Sequence, residues 1–200
     1  MNQQMGANRA TQANVATLLD RDISIWGPDS GDQACGDVGP GRMLEPQALL
    51  QHVERFFYPK TLDGQHWVIT AGPTVEAIDP VRYLANRSSG KMGYAIAEAA
   101  ARAGAKVTLI SGPVCLATPF GVNRVSVESA QSMLDGVKDA VSGESVFVSC
   151  AAVADYKPKE VASEKMKKSG DDGLVMELTQ NPDILKWAAQ ESGAFCVGFA

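Results

Sequence analysis

Trp67-Val68-Ile69-Thr70-Ala71-Gly72-Pro73-Thr74 is the stretch that decides the fold of most of this chain. A short apolar run broken by Gly-Pro reads as a buried strand handing over to a loop. The stretch from about Gly90 to Ala103 then predicts a helix, because Met92, Ile96, Ala99, Ala100 and Ala103 recur at three or four residue spacing and Gly104 stops it. Lys106 to Ile110 is the next strand, Arg124 to Val127 another, Ala130 to Val141 a helix with Met133, Leu134, Val137 and Val141 on one face, and Ser145 to Cys150 a buried strand. Further on, Leu174 to Leu178 alternates, Asn181 caps a helix that starts at Pro182 and runs to about Gln190, and Phe195 to Phe199 is the final strand. Strands and helices alternating in this way predict the α/β class, a doubly wound, mostly parallel sheet of Rossmann-like kind. The last strand meets the last residue, where such a sheet continues into a ligand-holding loop, so the domain is expected to be truncated at its C-terminus.

Upstream, the pattern is different. Ala10 to Asp20 reads as a polar helix, Ile23 to Trp26 as a short apolar segment, and Gly27 to Arg42, with five glycines and two prolines, as a loop. A helix follows from Glu45 to Phe57, and Tyr58 to Gly64 reads as a linker. The expected organisation is a small incomplete α/loop segment at 1–57, a linker at 58–65 and the sheet domain at 66–200.

Two hundred residues at 45% hydrophobic content bury one core, or one core with a small appendage. A net charge of −5 gives no overall attraction to nucleic acid, so an anionic ligand has to be held by a local site, and small phosphates fit better than DNA. No apolar run approaches the roughly 20 residues that span a bilayer, and the first thirty residues lack a secretory pattern, so the expectation is a cytoplasmic protein with no membrane partner. Cys35, Cys115, Cys150 and Cys196 form no C-x-x-C pair and are accompanied by His52 and His66 alone, which indicates neither a zinc site nor a disulfide framework. Cys150 and Cys196 sit in apolar runs as small buried hydrophobes, whereas Cys35 lies in the glycine-rich loop.

Ligands of open α/β sheets bind beyond the carboxyl ends of the strands, which directs attention to the loops after Ala71, Ile110, Cys150 and Phe199. Ser88-Ser89-Gly90 at a helix start presents backbone N–H groups, hydroxyls and a positive dipole end suited to phosphate, with Lys91 nearby; an ordinary serine cap with glycine for close packing would read the same way. Gly90-Lys91 is followed by Met92, Ala85 stands where a P-loop needs glycine, and no G-x-G-x-x-G is present, so neither a Walker ATPase nor a standard dinucleotide dehydrogenase is indicated. Asp155 could hold a ribose, a base or a magnesium ion, or simply bond its own backbone in a turn. Glu164-Lys165-Met166-Lys167-Lys168 is ordinarily a solvated surface run; folded over phosphates, Lys165 would neutralise charge on departing pyrophosphate.

Taken together, Ala71-Gly-Pro-Thr74, Asp79-Pro-Val-Arg-Tyr83, Asn86-Arg-Ser-Ser-Gly-Lys-Met-Gly93, Ala151-Ala-Val-Ala-Asp-Tyr156, Lys165-Met-Lys-Lys168 and Asn181-Pro-Asp-Ile184 resemble phosphopantothenate–cysteine ligase over residues from about 66 to 200. Residues 1–57 resemble the end of the flavin-dependent phosphopantothenoylcysteine decarboxylase half of the bacterial bifunctional enzyme of coenzyme A biosynthesis, through Met1-Asn2-Gln-Gln-Met5 and the Gly27 to Met43 segment around Cys35. Gly6 and Arg9 depart from that pattern, and the flavin-binding portion and catalytic histidine are expected upstream.

The resemblance implies that the carboxylate of 4′-phosphopantothenate attacks CTP, with Mg²⁺ on the phosphates, and that L-cysteine displaces CMP from the acyl-cytidylate. Asn86 would then hydrogen-bond the acyl-cytidylate, Arg82 would help place phosphopantothenate, and Lys165 would bind the triphosphate. Ser88, Ser89 and Gly90 would cradle phosphates, while Asp155, Pro182, Asp183, Ile184, Leu185 and Phe199 would line the CTP pocket. In the decarboxylase half, FMN oxidises the substrate thiol so that the carboxylate can leave. There Cys35 would donate a proton and Asn2 would anchor the substrate. The expectations are therefore CTP-dependent ligation, with FMN-dependent decarboxylation within the full-length enzyme or an inactive, self-associating fragment as alternatives; similar full-length enzymes form homo-oligomers.

Overall fold

Asn2 and Asn8 start the first two helices by one device: each carboxamide oxygen accepts from a backbone N–H of the first turn, Asn2 from Met5 at 2.9 Å and Asn8 from Ala10 at 2.9 Å. These helices are α1 (Gln3–Ala7) and α2 (Arg9–Asp20). The computed structural model describes residues 1–167 and 173–199, and the chain divides into two units, Met1–Tyr58 and Pro59–Ala200.

In the first unit the glycine-rich stretch expected as a loop is instead an antiparallel hairpin, β1 (Asp29–Asp32) with β2 (Val38–Arg42). Neither strand alternates apolar with polar residues, so the pairing rests on backbone bonds that no side-chain pattern announces. Gly41 is where α1 comes against this hairpin: a Cβ there would meet the Met1 carbonyl oxygen at 2.3 Å. Helix α3 (Pro46–Phe57) starts on a proline, whose fixed φ suits the first helical position. Trp26 stacks on His52, with centroids 5.0 Å apart, and meets Phe56 edge-on.

The second unit runs β3 (His66–Ala71), β4 (Val75–Ala77), β5 (Tyr83–Ala85), α4 (Lys91–Arg102), β6 (Lys106–Ser111), β7 (Val122–Ser126), α5 (Ala130–Ala140), β8 (Val146–Ser149), β9 (Tyr156–Pro158), β10 (Leu178–Gln180), α6 (Ile184–Trp187) and β11 (Phe195–Gly198). Five of these strands form one parallel sheet in the order β11-β8-β3-β6-β7. The chain fills one side of β3 and then the other, so the order reverses between β3 and β8, and the crevice of a Rossmann-like α/β sheet opens there.

Both sheet faces are covered. Ile69, Leu109 and Val148 pack with Tyr94, Ala97 and Ala101 of α4, whereas Val68, Ile110 and Phe147 pack with Met133 and Val137 of α5 and Ile184 of α6. Neighbouring residues of one strand thus enter opposite layers, which is why these strands read as unbroken apolar runs. Gly93 lets α4 lie close to the sheet, since a Cβ there would come within 2.6 Å of the Ala71 methyl. Ser129 and Ser132 form a reciprocal capping box at the start of α5.

Three further elements differ from expectation. Asp183, not Asn181, caps α6, its carboxylate accepting from Lys186 N at 2.9 Å. The helix stays regular for four residues and widens into a π-type turn at Ala188–Ser192. Of the alternating stretch expected as a strand, residues 174–177 lie outside any strand, and Leu178–Gln180 pairs antiparallel with β9.

Candidate functional site

The turn that joins β1 to β2 is closed by Gln33 N donating to Asp37 O at 2.9 Å and Gly36 N to Gln33 O at 2.9 Å. Cys35 stands at its tip, exposed, with its thiol aimed at Asp37 Oδ2 (3.6 Å) and Gln33 Oε1 (3.9 Å). Gln33 also accepts from Gln3 N and donates to Gly39 O, each at 3.0 Å, which ties the turn to α1. The result is a cleft of about 410 Å³ lined by Asn2, Met5, Gln33, Cys35 and Arg42 among others. Asn2 and Cys35 are therefore brought together. The Asn2 oxygen is occupied as the α1 cap, accepting from Met5 N.

In the second unit the loops after β3 and β8 are fastened to each other. Pro73 pairs with Ala152, Ala154 N donates to Thr74 Oγ1 at 2.9 Å, and the Asn86 carboxamide donates to Val153 O at 3.0 Å. Beyond them a cleft of about 650 Å³ is lined by Asp155, Pro182, Asp183, Ile184, Leu185 and Phe199, all expected as a pocket. Asp155 is exposed, Asp183 is committed to capping α6, and Asn181 Nδ2 donates to Ala154 O at 2.8 Å while its oxygen is buried without a partner.

Ser88, Ser89 and Gly90 do not line that cleft. Gly90 caps α4 with φ at 72°, a left-handed conformation suited to glycine, and is buried against Gly72 and Val114. Ser88 Oγ accepts from Gly90 N at 3.3 Å. Lys165 is exposed and outside the cleft lining, and Lys168 lies outside the described residues.

Arg82 is bound to Asp79 and donates to Met166 O at 2.7 Å, so its guanidinium holds the chain around Lys165. Asp79 is almost fully buried. The Arg82 guanidinium holds its carboxyl well below the usual carboxylate range against the opposing effect of burial, helped by backbone N–H groups of Val81, Met166 and Arg82. Sequence reading assigns Asp79 no role. Its signal is the Asp-Pro-x-Arg turn, in which an aspartate bonds the backbone two residues on. A third cleft of about 730 Å³, at the ends of β6 and β7, is lined by Ser111, Arg124, Glu128 and Ser129 among others.

Among the described residues no group of three or more His, Cys, Asp or Glu is placed to hold a metal ion, and no helix is long and apolar enough to cross a membrane. The residues around Cys35 fit a small polar molecule. They offer a thiol, a carboxamide and a guanidinium beside the side chains of Met1 and Met5.

Comparison with known proteins agrees on one family. Residues 62–200 match the family model described as the DNA/pantothenate metabolism flavoprotein C-terminal domain. The coenzyme A biosynthesis bifunctional protein CoaBC of Vibrio parahaemolyticus is 57% identical over all of this chain, and that of Escherichia coli K12 is 51% identical. The chain spans 51% and 50% of their lengths, respectively. The crystal structure of a CoaBC C-terminal domain superposes with a TM-score of 0.59 at 46% identity, covering 70% of this chain and 66% of that one. A DNA/pantothenate metabolism flavoprotein from Streptococcus pneumoniae superposes with a TM-score of 0.53 at 26% identity, covering 63% and 64%.

These findings correct the expected activity. The matched stretch is the one on which CTP-dependent phosphopantothenate–cysteine ligation rested, and the family it matches is that of a flavoprotein of pantothenate metabolism. The ligase assignment is replaced by a flavoprotein one, which favours the decarboxylase alternative. The likeness to the bifunctional proteins of coenzyme A biosynthesis stands.

Proposed function

Because the chain belongs to the family of the DNA/pantothenate metabolism flavoprotein C-terminal domain, we propose that it serves an FMN-dependent phosphopantothenoylcysteine decarboxylase within a bifunctional coenzyme A biosynthesis enzyme. The observation that carries this reading is the pairing of Cys35 with Asn2 across one small cleft. FMN would supply oxidation of the substrate thiol and the later return of hydride. The contribution assigned to these residues is to the substrate end. The Asn2 amide hydrogens would grip the departing carboxylate, and the Cys35 thiol would give its proton to the carbon that carboxylate leaves, then recover one from solvent.

Alkylation tests this. Phosphopantothenoylcysteine should slow carbamidomethylation of Cys35 several-fold and leave the exposed Cys115 unaffected; equal rates at Cys35 with and without it would remove the proposal's basis.

A second reading concerns the 650 Å³ cleft, where the buried, partnerless Asn181 oxygen favours a ligand that can donate a hydrogen bond there. A pyrimidine nucleotide such as CTP, accompanied by Mg²⁺, has that donor in its exocyclic amine. Asp155, Pro182, Asp183, Ile184, Leu185 and Phe199 would hold the nucleoside. Asn86, Arg82, Ser88, Ser89, Gly90 and Lys165 would serve the charged parts of the ligands. CTP with Mg²⁺ should raise the melting temperature more than ATP or UTP, and Lys165→Gln should cancel the increment; equal shifts for all three nucleotides count against it.

A further inference from the structure

We propose that Asp79 is a positioning residue: its buried carboxylate straps residues 162–167 onto the β4–β5 hairpin and so sets where the Lys165 ammonium stands. The proposal rests on the nucleotide reading for what Lys165 does, and on geometry alone for what Asp79 does.

The two carboxylate oxygens have separate tasks. Oδ1 accepts from Val81 N at 2.8 Å and Arg82 N at 2.9 Å, which closes the turn between β4 and β5. Oδ2 accepts from the Arg82 side chain, Nε at 2.9 Å and Nη2 closer still, and from Met166 N at 3.1 Å. Arg82 Nη2 in turn donates to Met166 O at 2.7 Å. Met166 is thus gripped by both its N–H and its carbonyl, while its neighbours Lys165 and Lys167 stay exposed. A second attachment, Ala162 N to Ile78 O at 3.0 Å, fixes the segment four residues earlier. The hairpin strand that follows Arg82 runs directly into Asn86, so the strap brings the lysines to the hairpin that delivers the first loop.

This division makes one substitution diagnostic. Asp79→Asn can keep an acceptor at Oδ1 and preserve the turn, but it replaces Oδ2 with an NH₂ group that faces only donors, the Met166 N–H and the Arg82 guanidinium. Met166→Pro removes the strap's N–H without touching the hairpin.

Limited trypsin digestion of the 200-residue protein decides the matter. In Asp79→Asn, cleavage after Lys165 and Lys167 should rise on the order of tenfold, as expected for loss of a charged hydrogen bond, with cleavage after Lys138 and Lys186 unchanged. In Met166→Pro, cleavage after Lys167 should rise in the same way. Acceleration at all sites alike, or none at Lys165 and Lys167, overturns the assignment. With CTP as probe, Asp79→Asn should weaken binding to the otherwise native protein and add nothing once Lys165→Gln is present; an equal loss on both backgrounds overturns it too. If CTP fails to bind the native protein, the nucleotide reading falls, and the digestion pattern still passes or rejects Asp79.

Discussion

The two units put opposite things in their interiors. In Pro59–Ala200 a parallel sheet is buried on both faces, with Phe147, Ile69, Leu109, Ile110 and Met133 fully covered. In Met1–Tyr58 the sole buried residue is Gly41, and α1, α2 and α3 bury no side chain. That unit is organised by the Gln33 hydrogen bonds, by Met1 N donating to Gly41 O at 3.1 Å, and by the Trp26–His52 stack. Hydrogen bonds open to water contribute about 1 kcal/mol each, so such a unit opens locally at low cost. The exposed Cys35 thiol therefore sits on the yielding part of the chain and the two larger clefts on the part with the buried core.

The comparison can be broken most directly at Phe147. Phe147→Ala should cost about 3–5 kcal/mol in denaturant unfolding of the second unit, and a loss below about 1 kcal/mol would mean the α5 face is not its core. Ser129→Ala should cost about 1 kcal/mol through loss of the α5 cap, read from the same transition. In the first unit Leu50→Ala, on the exposed face of α3, should change stability by no more than about 0.5 kcal/mol; a larger effect would reveal a hidden core there.

Acid sharpens the contrast further. Burial, and then the charge of Lys106, lower the pKa of His66, whose ring nitrogens lie 3.1 Å from Thr108 Oγ1 and 3.3 Å from Ser145 Oγ. The folded state prefers the neutral ring, so its contribution is complete above the unfolded value of 6.5 and is lost as pH falls through the lower folded value. Stability of the second unit should decline as pH falls from about 7 to about 5, less so in His66→Gln. The smallest effect is chemical. Cys35 and Cys115 should alkylate faster than Cys150 and Cys196, whose thiols burial pushes up in pKa, and a reversed order would contradict the cleft around Cys35.

Much of the second unit is legible because buried parallel strands write themselves as apolar runs and α4 and α5 as periodic stripes. The hairpins are not legible in the same way. Asp29–Asp32 and Val38–Arg42 have no alternation to detect, and Val75–Ala77 with Tyr83–Ala85 is three residues per strand. The α6 cap is misread from sequence because Asn181 and Asp183 are equally good caps locally; in the fold the Asn181 amide donates to the distant Ala154 carbonyl, and the Asp183 carboxylate takes the cap by accepting from Lys186 N. Of the site, Asp155 is readable from its place after the strand ending at Cys150, whereas residues 182–185 enter through the family resemblance alone. Asp79 is not, since its decisive partner, Met166, becomes its neighbour only after folding.

The strand order has a consequence for how the protein is made. β3 lies in the middle of the sheet, yet one of its two neighbours is β8, where Trp67 meets Val146. During synthesis β3 can zip to β6 early, but its other edge stays bare until the ribosome has delivered residues 146–149. For that interval a nascent chain displays an apolar, unpaired strand border, which is a template for pairing with another polypeptide. Slowing translation before Val146 should thus increase aggregation more than slowing it afterwards.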